Sequence, residues 1–183
     1  MKKLSVKELT LTALMAALFC VISPFSIPVG PVPVSFSVLI LFLSLYMVGR
    51  NLSLLACAVY ILLGLCGLPV FSGFTGGPGK LLGPTGGYIA GYLFMLLIAG
   101  TFIDRYYGKL PLELAGMLLG LITLYAFGTL WLSLMAKLTF TGALAVAVLP
   151  FIIPDCLKIA LSCALGHAIK KRLSRSSRRE LLG

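Results

Sequence analysis

The chain reads as six apolar stretches joined by short polar or glycine- and proline-rich connections, with no sustained two-residue alternation. They cover roughly residues 9–22, 36–48, 52–68, 86–103, 112–134 and 154–169. Stretches that are apolar on every face predict helices surrounded by lipid or protein rather than helices with one wet side. The second falls short of the roughly 20 residues a spanning helix needs. It is therefore expected to tilt, or to be flanked by a loop that enters the bundle. Small residues four apart, Ala13/Ala17, Gly87/Gly91 and Gly116/Gly120, predict places where helix backbones approach closely in lipid. The expected fold is an all-α integral membrane protein: a six-transmembrane-helix bundle with structured external loops, one domain over residues 1–183.

Composition sharpens this picture. Of the 183 residues, 60% are hydrophobic and only 11% charged, and the mean hydropathy is +1.09. A soluble domain of that balance would be nearly all core, so the solvent of this chain is the bilayer. The net charge of +10 does not point to nucleic acid, because the basic residues gather at the ends and in short turns. With six spans both termini share a side, which then holds Lys2, Lys3, Lys7, Arg50, Arg105, Lys109 and the tail Lys170, Lys171, Arg172, Arg175, Arg178 and Arg179. The other side holds Lys80 and Lys137. That asymmetry predicts a multi-pass protein of the cell membrane with cytoplasmic termini. The tail from about residue 170 is a solvated helix end suited to anionic lipid headgroups. The first apolar stretch lacks a small-x-small cleavage site after Ile22 and reads as a retained helix rather than a signal peptide.

Charge inside the apolar stretches is costly, roughly 2.5–3.5 kcal/mol at a helix centre, which singles out Asp155 and Lys158 in the last stretch. Their i, i+3 spacing places them on one face about one turn apart. An acceptor beside a cation suits a small ligand carrying both a donor and an anionic group; the alternative is an ion pair that only neutralises itself. Two connections on the same side as Asp155 look structured. Residues 23–34 carry four prolines and no charge and predict a stiff apolar cover. Residues 69–85 are crowded with glycine, and irregular backbone at such depth lines a cavity or is buried by protein. Phe71 and Tyr88 around the glycine-rich loop, with Tyr125 and Trp131 on the fifth stretch, are candidate pocket walls. For Tyr125 and Trp131 anchoring at the membrane interface is an equal alternative.

Other motifs carry less. Gly73 to Lys80 imitates a nucleotide-binding loop but has the wrong spacing, and Leu81 stands where a hydroxyl must hold magnesium. Cys20, Cys57, Cys66, Cys156 and Cys163 lie in apolar stretches and read as small hydrophobes at helix interfaces, with neither disulfide nor metal site. His167 reads as a helix-end or interfacial residue, and Glu113 and Asp104 fall near the opposite turn from Asp155. No set for acid–base or nucleophilic work is assembled, so an enzyme is not expected and no cofactor is called for.

Several runs together carry a resemblance: Gly30 to Val34, Leu62 to Phe71 leading into Gly73, Leu82 to Tyr88 (with Thr85 and Gly86 inside Gly-Pro-Thr-Gly-Gly-Tyr), Tyr125, Gly128 to Trp131, Leu149 to Phe151, and the Asp155…Lys158 pair. Over nearly its whole length the chain resembles the biotin-specific substrate-binding (S) subunits of energy-coupling factor (ECF) transporters, the BioY family. The resemblance implies a six-helix protein that captures biotin from outside. It also implies docking on a transmembrane coupling (T) subunit driven by two ATPase subunits, with Ala13 and Ala17 matching the family's docking motif on the first helix. Asp155 and Lys158 are the positions carried over as ligand contacts, with biotin as transported ligand rather than cofactor. The chain departs from the family at Ser35-Phe36-Ser37-Val38, where Thr-x-Gln-Thr is frequent; Ser37 stands at the Gln position. A facilitator acting without ATPases, or an S subunit for another vitamin such as thiamine, are the alternatives.

Overall fold

The computed structural model describes residues 4–28 and 32–180, with side chains described as far as Arg172. Lys2, Lys3, Gly30, Pro31 and the side chains of Arg175, Arg178 and Arg179 lie outside the described residues. The first helix, α1 (Val6–Ile22), opens on a capping box: the Ser5 hydroxyl accepts from the Glu8 amide while the Glu8 carboxylate accepts from the Ser5 amide. These contacts satisfy orphan N–H groups at the helix start.

Chain reversal at Gly49 organises the next segment. Helix α2 (Ser37–Leu65) is interrupted there by φ 79° and ψ 173°, a conformation essentially restricted to glycine. Ser44 Oγ donates to Ser53 Oγ at 2.9 Å, although nine residues of straight helix would separate them by about 13.5 Å. The two arms thus fold back against each other, at the place where the sequence pattern breaks between its second and third apolar stretches.

A one-turn helix α3 (Pro78–Leu82) lies in the glycine-rich connection, followed by α4 (Gly86–Tyr106), α5 (Leu110–Ala136), α6 (Phe140–Ala147) and α7 (Leu149–Glu180). Among the described residues, α2, α4, α5 and α7 are the helices long and apolar enough to cross a membrane. Helices α4 and α5 form the most extensive pair, because glycines remove side chains from the seam. A Cβ at Gly87 would run into Trp131, one at Gly91 into Leu124, one at Gly116 into Phe102 and one at Gly120 into the Met95 carbonyl. The expected close approaches at Gly87/Gly91 and Gly116/Gly120 are therefore present.

Three expectations need correction. Helix α6 occupies residues that carried no predicted element, its start capped by Thr139, whose hydroxyl accepts from the Gly142 amide. The proline-rich connection carries a strand pair that the sequence pattern did not predict: β1 (Ser26–Ile27) pairs antiparallel with β2 (Val34–Ser35). The cysteines are not uniformly interfacial either. Cys57 and Cys163 are buried and Cys20 half-buried, but Cys66 and Cys156 are exposed, since Cys66 terminates α2 and Cys156 points away from the helix face that carries Asp155.

The two structured connections meet at one end of the bundle. The Gly73 amide donates to the Pro24 carbonyl at 2.9 Å, and the Phe25 and Phe74 rings make an edge contact with centroids 5.4 Å apart. At the other end, the turn after Gly49 is held to α4, the Arg50 guanidinium donating to Thr101 Oγ1 at 3.0 Å. There Lys170 Nζ lies 3.8 Å above the Tyr107 ring.

Candidate ligand-binding site

Helix α7 positions the chemistry. Phe151, Asp155 and Lys158 occupy successive turns of one face, and all three line a cleft beneath the proline-rich connection. Pro154 inside the helix has no N–H to give, so the Pro150 carbonyl loses its helical donor just where the charged face begins. Lys158 Nζ donates to Asp155 Oδ1 at 2.7 Å, and Tyr125 Oη, from α5, donates to Asp155 Oδ2 at 2.7 Å. Asp155 is 3% exposed and Lys158 8%. Neither charge is buried alone, which keeps the desolvation cost tolerable.

The remainder of the cleft is aromatic and apolar. Tyr88 and Tyr92, one turn apart on α4, form one wall; Leu124 and Tyr125 form another; Val32, Pro33 and Ser35 cover it from the first connection. Val38 and Ala147 complete the lining. Together they surround about 370 Å³ of unfilled space, the open mouth included. Tyr88 is fixed by two contacts. Its hydroxyl donates to the Ala147 carbonyl at 3.2 Å, and its ring lies over Gly128, where a Cβ would collide with it. Ser35 Oγ donates to Ser37 Oγ at 2.9 Å, both buried. Ser37, at the position where the sequence departs from the resembled pattern, therefore supports the lining residue Ser35 from below.

Of the residues singled out in the sequence, Asp155, Lys158, Tyr125 and Tyr88 converge on this cleft. The others do not line it. Thr85 is buried at the N-cap of α4, one turn before Tyr88. Gly86 packs under the Leu81 carbonyl, where a Cβ would not fit, beside the Trp131 indole. Trp131 Nε1 donates to the Gly83 carbonyl at 2.8 Å and so ties the glycine-rich connection to α5. Phe71 is core: it meets Tyr60 edge-on at 5.5 Å and covers Gly64. Gly73 joins the two connections through its bond to Pro24. Ala13 and Ala17 sit on an exposed face of α1, away from the cleft.

Tyr92, Leu124 and Phe151 had legible signals that went unused: each lies one helical turn from, or next to, a residue already chosen. Ala147 and Ser35 had none, because their places depend on α6 and on the strand pair.

The arrangement can accept from ligand N–H groups at Asp155, donate to ligand oxygens from Lys158, and hold an apolar body between tyrosine rings. The model of the BioY family matches residues 1–175. The probable biotin transporter BioY of Pyrococcus horikoshii is 36% identical over 164 residues, covering 90% of this chain and 96% of the relative. The biotin transporter BioY2 of Lactococcus lactis subsp. cremoris is 33% identical over 179 residues, covering 97% and 98%. A solved structure described as the S-component for biotin from an ECF-type ABC transporter superposes with a TM-score of 0.82 at 30% identity, over 91% of this chain and 92% of that one. With four helices able to cross a bilayer and this likeness along nearly all its length, the chain is a multi-pass membrane protein that belongs to the BioY family.

Proposed function

We propose that this chain is the biotin-binding S subunit of an ECF-type uptake transporter. The observation that carries the proposal is the buried Asp155–Lys158 pair at the polar end of an otherwise apolar, tyrosine-walled cleft. Biotin presents matching chemistry at both ends. Its ureido ring offers N–H donors to a carboxylate and a carbonyl to an ammonium, its valerate carboxylate offers an anion, and its fused rings and chain are apolar. In this reading six segments cross the membrane: α1, the two arms of α2, α4, α5 and α7. The arms are short, but their reversal at Gly49 gives each its own passage.

The end bearing Arg50, Arg105 and Lys109 faces the cytoplasm, by the excess of basic residues there, and the cleft faces outward. Ala13 and Ala17, exposed on α1, form the surface that meets the coupling subunit, with two ATPase subunits supplying the energy. Biotin completes the polar end and brings the two connections down over itself, so that an apolar exterior is presented for movement or docking in the membrane.

The test is equilibrium binding of labelled biotin to the purified protein beside Asp155→Asn and Lys158→Ala, with thiamine as competitor. Saturable wild-type binding, resistant to thiamine and lost in both variants, supports the reading. Tight binding indifferent to both substitutions would reduce the pair to a structural ion pair. Absence of binding by folded wild-type protein would remove biotin as the ligand.

A further inference from the structure

At the bundle end opposite the cleft, Glu113 is fully buried in the first turn of α5. Its Oε1 accepts from the Gly108 amide at 2.6 Å and its Oε2 from Tyr46 Oη at 2.8 Å. His167 Nε2 lies 3.0 Å from Oε2, and Tyr46 Oη is also 3.5 Å from Cys163 Sγ. Cys163 and His167 are i, i+4 on α7, so their side chains share one face. That spacing had no metal-site reading in the sequence, because the third donor is contributed by another helix.

We propose that Glu113, Cys163 and His167 form a binding site for a divalent transition-metal ion of zinc type, clamping α5 to α7. A carboxylate oxygen, a thiol sulfur and an imidazole nitrogen from these residues all lie within 4.8 Å of one another. Bond lengths of roughly 2.0–2.3 Å around tetrahedral zinc require donor separations of about 3.3–3.8 Å, which small side-chain adjustments reach. A mixed nitrogen, sulfur and oxygen donor set suits Zn²⁺.

Charge also favours the ion. Thiolate and carboxylate together neutralise a divalent cation, and Glu113 exchanges its contact with His167 for a full positive charge. On binding, Cys163 releases its thiol proton to solvent, and His167 presents the lone pair of Nε2 as the Nδ1–H tautomer. The imidazole is already oriented by edge contacts with Tyr46 at 5.5 Å and Tyr107 at 5.2 Å. The His167 side chain is part-exposed, and a groove between α5 and α7, lined by Leu110, Leu114, Ala160 and Ala164, adjoins both Cys163 and His167.

The experiment is a Co²⁺ titration of the tag-free full-length protein in detergent, followed by absorbance, with Zn²⁺ as competitor. The expected result is saturation at one ion per chain, with a near-ultraviolet thiolate-to-cobalt band and strong visible bands of a tetrahedral site, both erased by Zn²⁺. Cys163→Ser should abolish the near-ultraviolet band. His167→Gln should weaken binding by at least roughly the 10–100-fold that loss of an outer partner costs. Glu113→Gln is a poorer probe, because it disturbs a buried carboxylate with several partners and threatens folding. No saturable uptake by folded wild-type protein would overturn the site. So would a thiolate band that survives Cys163→Ser, which would trace the metal to exposed Cys66 or Cys156.

Discussion

Tyr125 and Asp155, thirty positions apart, are joined by a 2.7 Å hydrogen bond from the phenol to the carboxylate. Lys158 takes the other carboxylate oxygen, so Asp155 is braced from both sides and holds a single orientation toward the cleft. A buried carboxylate set by two donors is preorganised for a ligand, and the loss of either donor should be felt in binding.

Tyr125→Phe removes one of those donors and keeps the ring. With a charged acceptor involved, the cost is about 1.5–3 kcal/mol, an affinity for biotin lowered roughly 10- to 100-fold. A binding isotherm on the purified variant checks this. Unchanged affinity would leave Tyr125 as a wall only.

Gly128→Ala places a methyl group into the Tyr88 ring. Overpacking of this kind costs about 1–3 kcal/mol, so the thermal midpoint should fall and biotin binding should weaken as Tyr88 is displaced. Combined with Tyr88→Ala, the loss of stability should be smaller than the sum of the two single losses, while the affinity stays low. Additive losses would show that the two positions are not coupled.

Gly49→Ala forces a side chain onto backbone that glycine adopts freely. The expected penalty is about 1–3 kcal/mol, read from thermal or denaturant unfolding, with the cleft at the far end little affected. Stability equal to wild type would mean the reversal re-forms with another geometry.

Ala13→Trp together with Ala17→Trp enlarges an exposed face of α1 that the cleft does not touch. Biotin binding by the isolated chain should stay within about twofold of wild type, a free-energy change of roughly 0.4 kcal/mol. Uptake by cells carrying the whole transporter should be lost. Retained uptake would move the coupling surface elsewhere.

The helical stretches were legible because their signal is local: an apolar run declares itself whatever it packs against. The break between the second and third stretches was legible for the same reason, through Gly49, Arg50 and Asn51. Asp155 and Lys158 stood out because ionised groups in an apolar helix require an explanation. Phe71 and Trp131 were harder to place. An aromatic residue beside a glycine-rich connection can face a ligand or hold the connection down, and here both hold it. Helix α6 was missed because it is short and merges into the apolar run that leads into α7.

By itself the sequence determined the lipid environment, the helical class, the positions of the turns and the presence of one buried charged pair. Each follows from hydropathy and backbone preference within a few neighbouring residues. Only the tertiary structure decided that Tyr125 and Tyr92 join that pair in one cleft, that the proline-rich connection covers it, and that Glu113 of α5 meets Cys163 and His167 of α7. Those relationships depend on which helix faces are pressed together. Side-chain packing between distant segments sets those faces, and no local pattern in the chain records them.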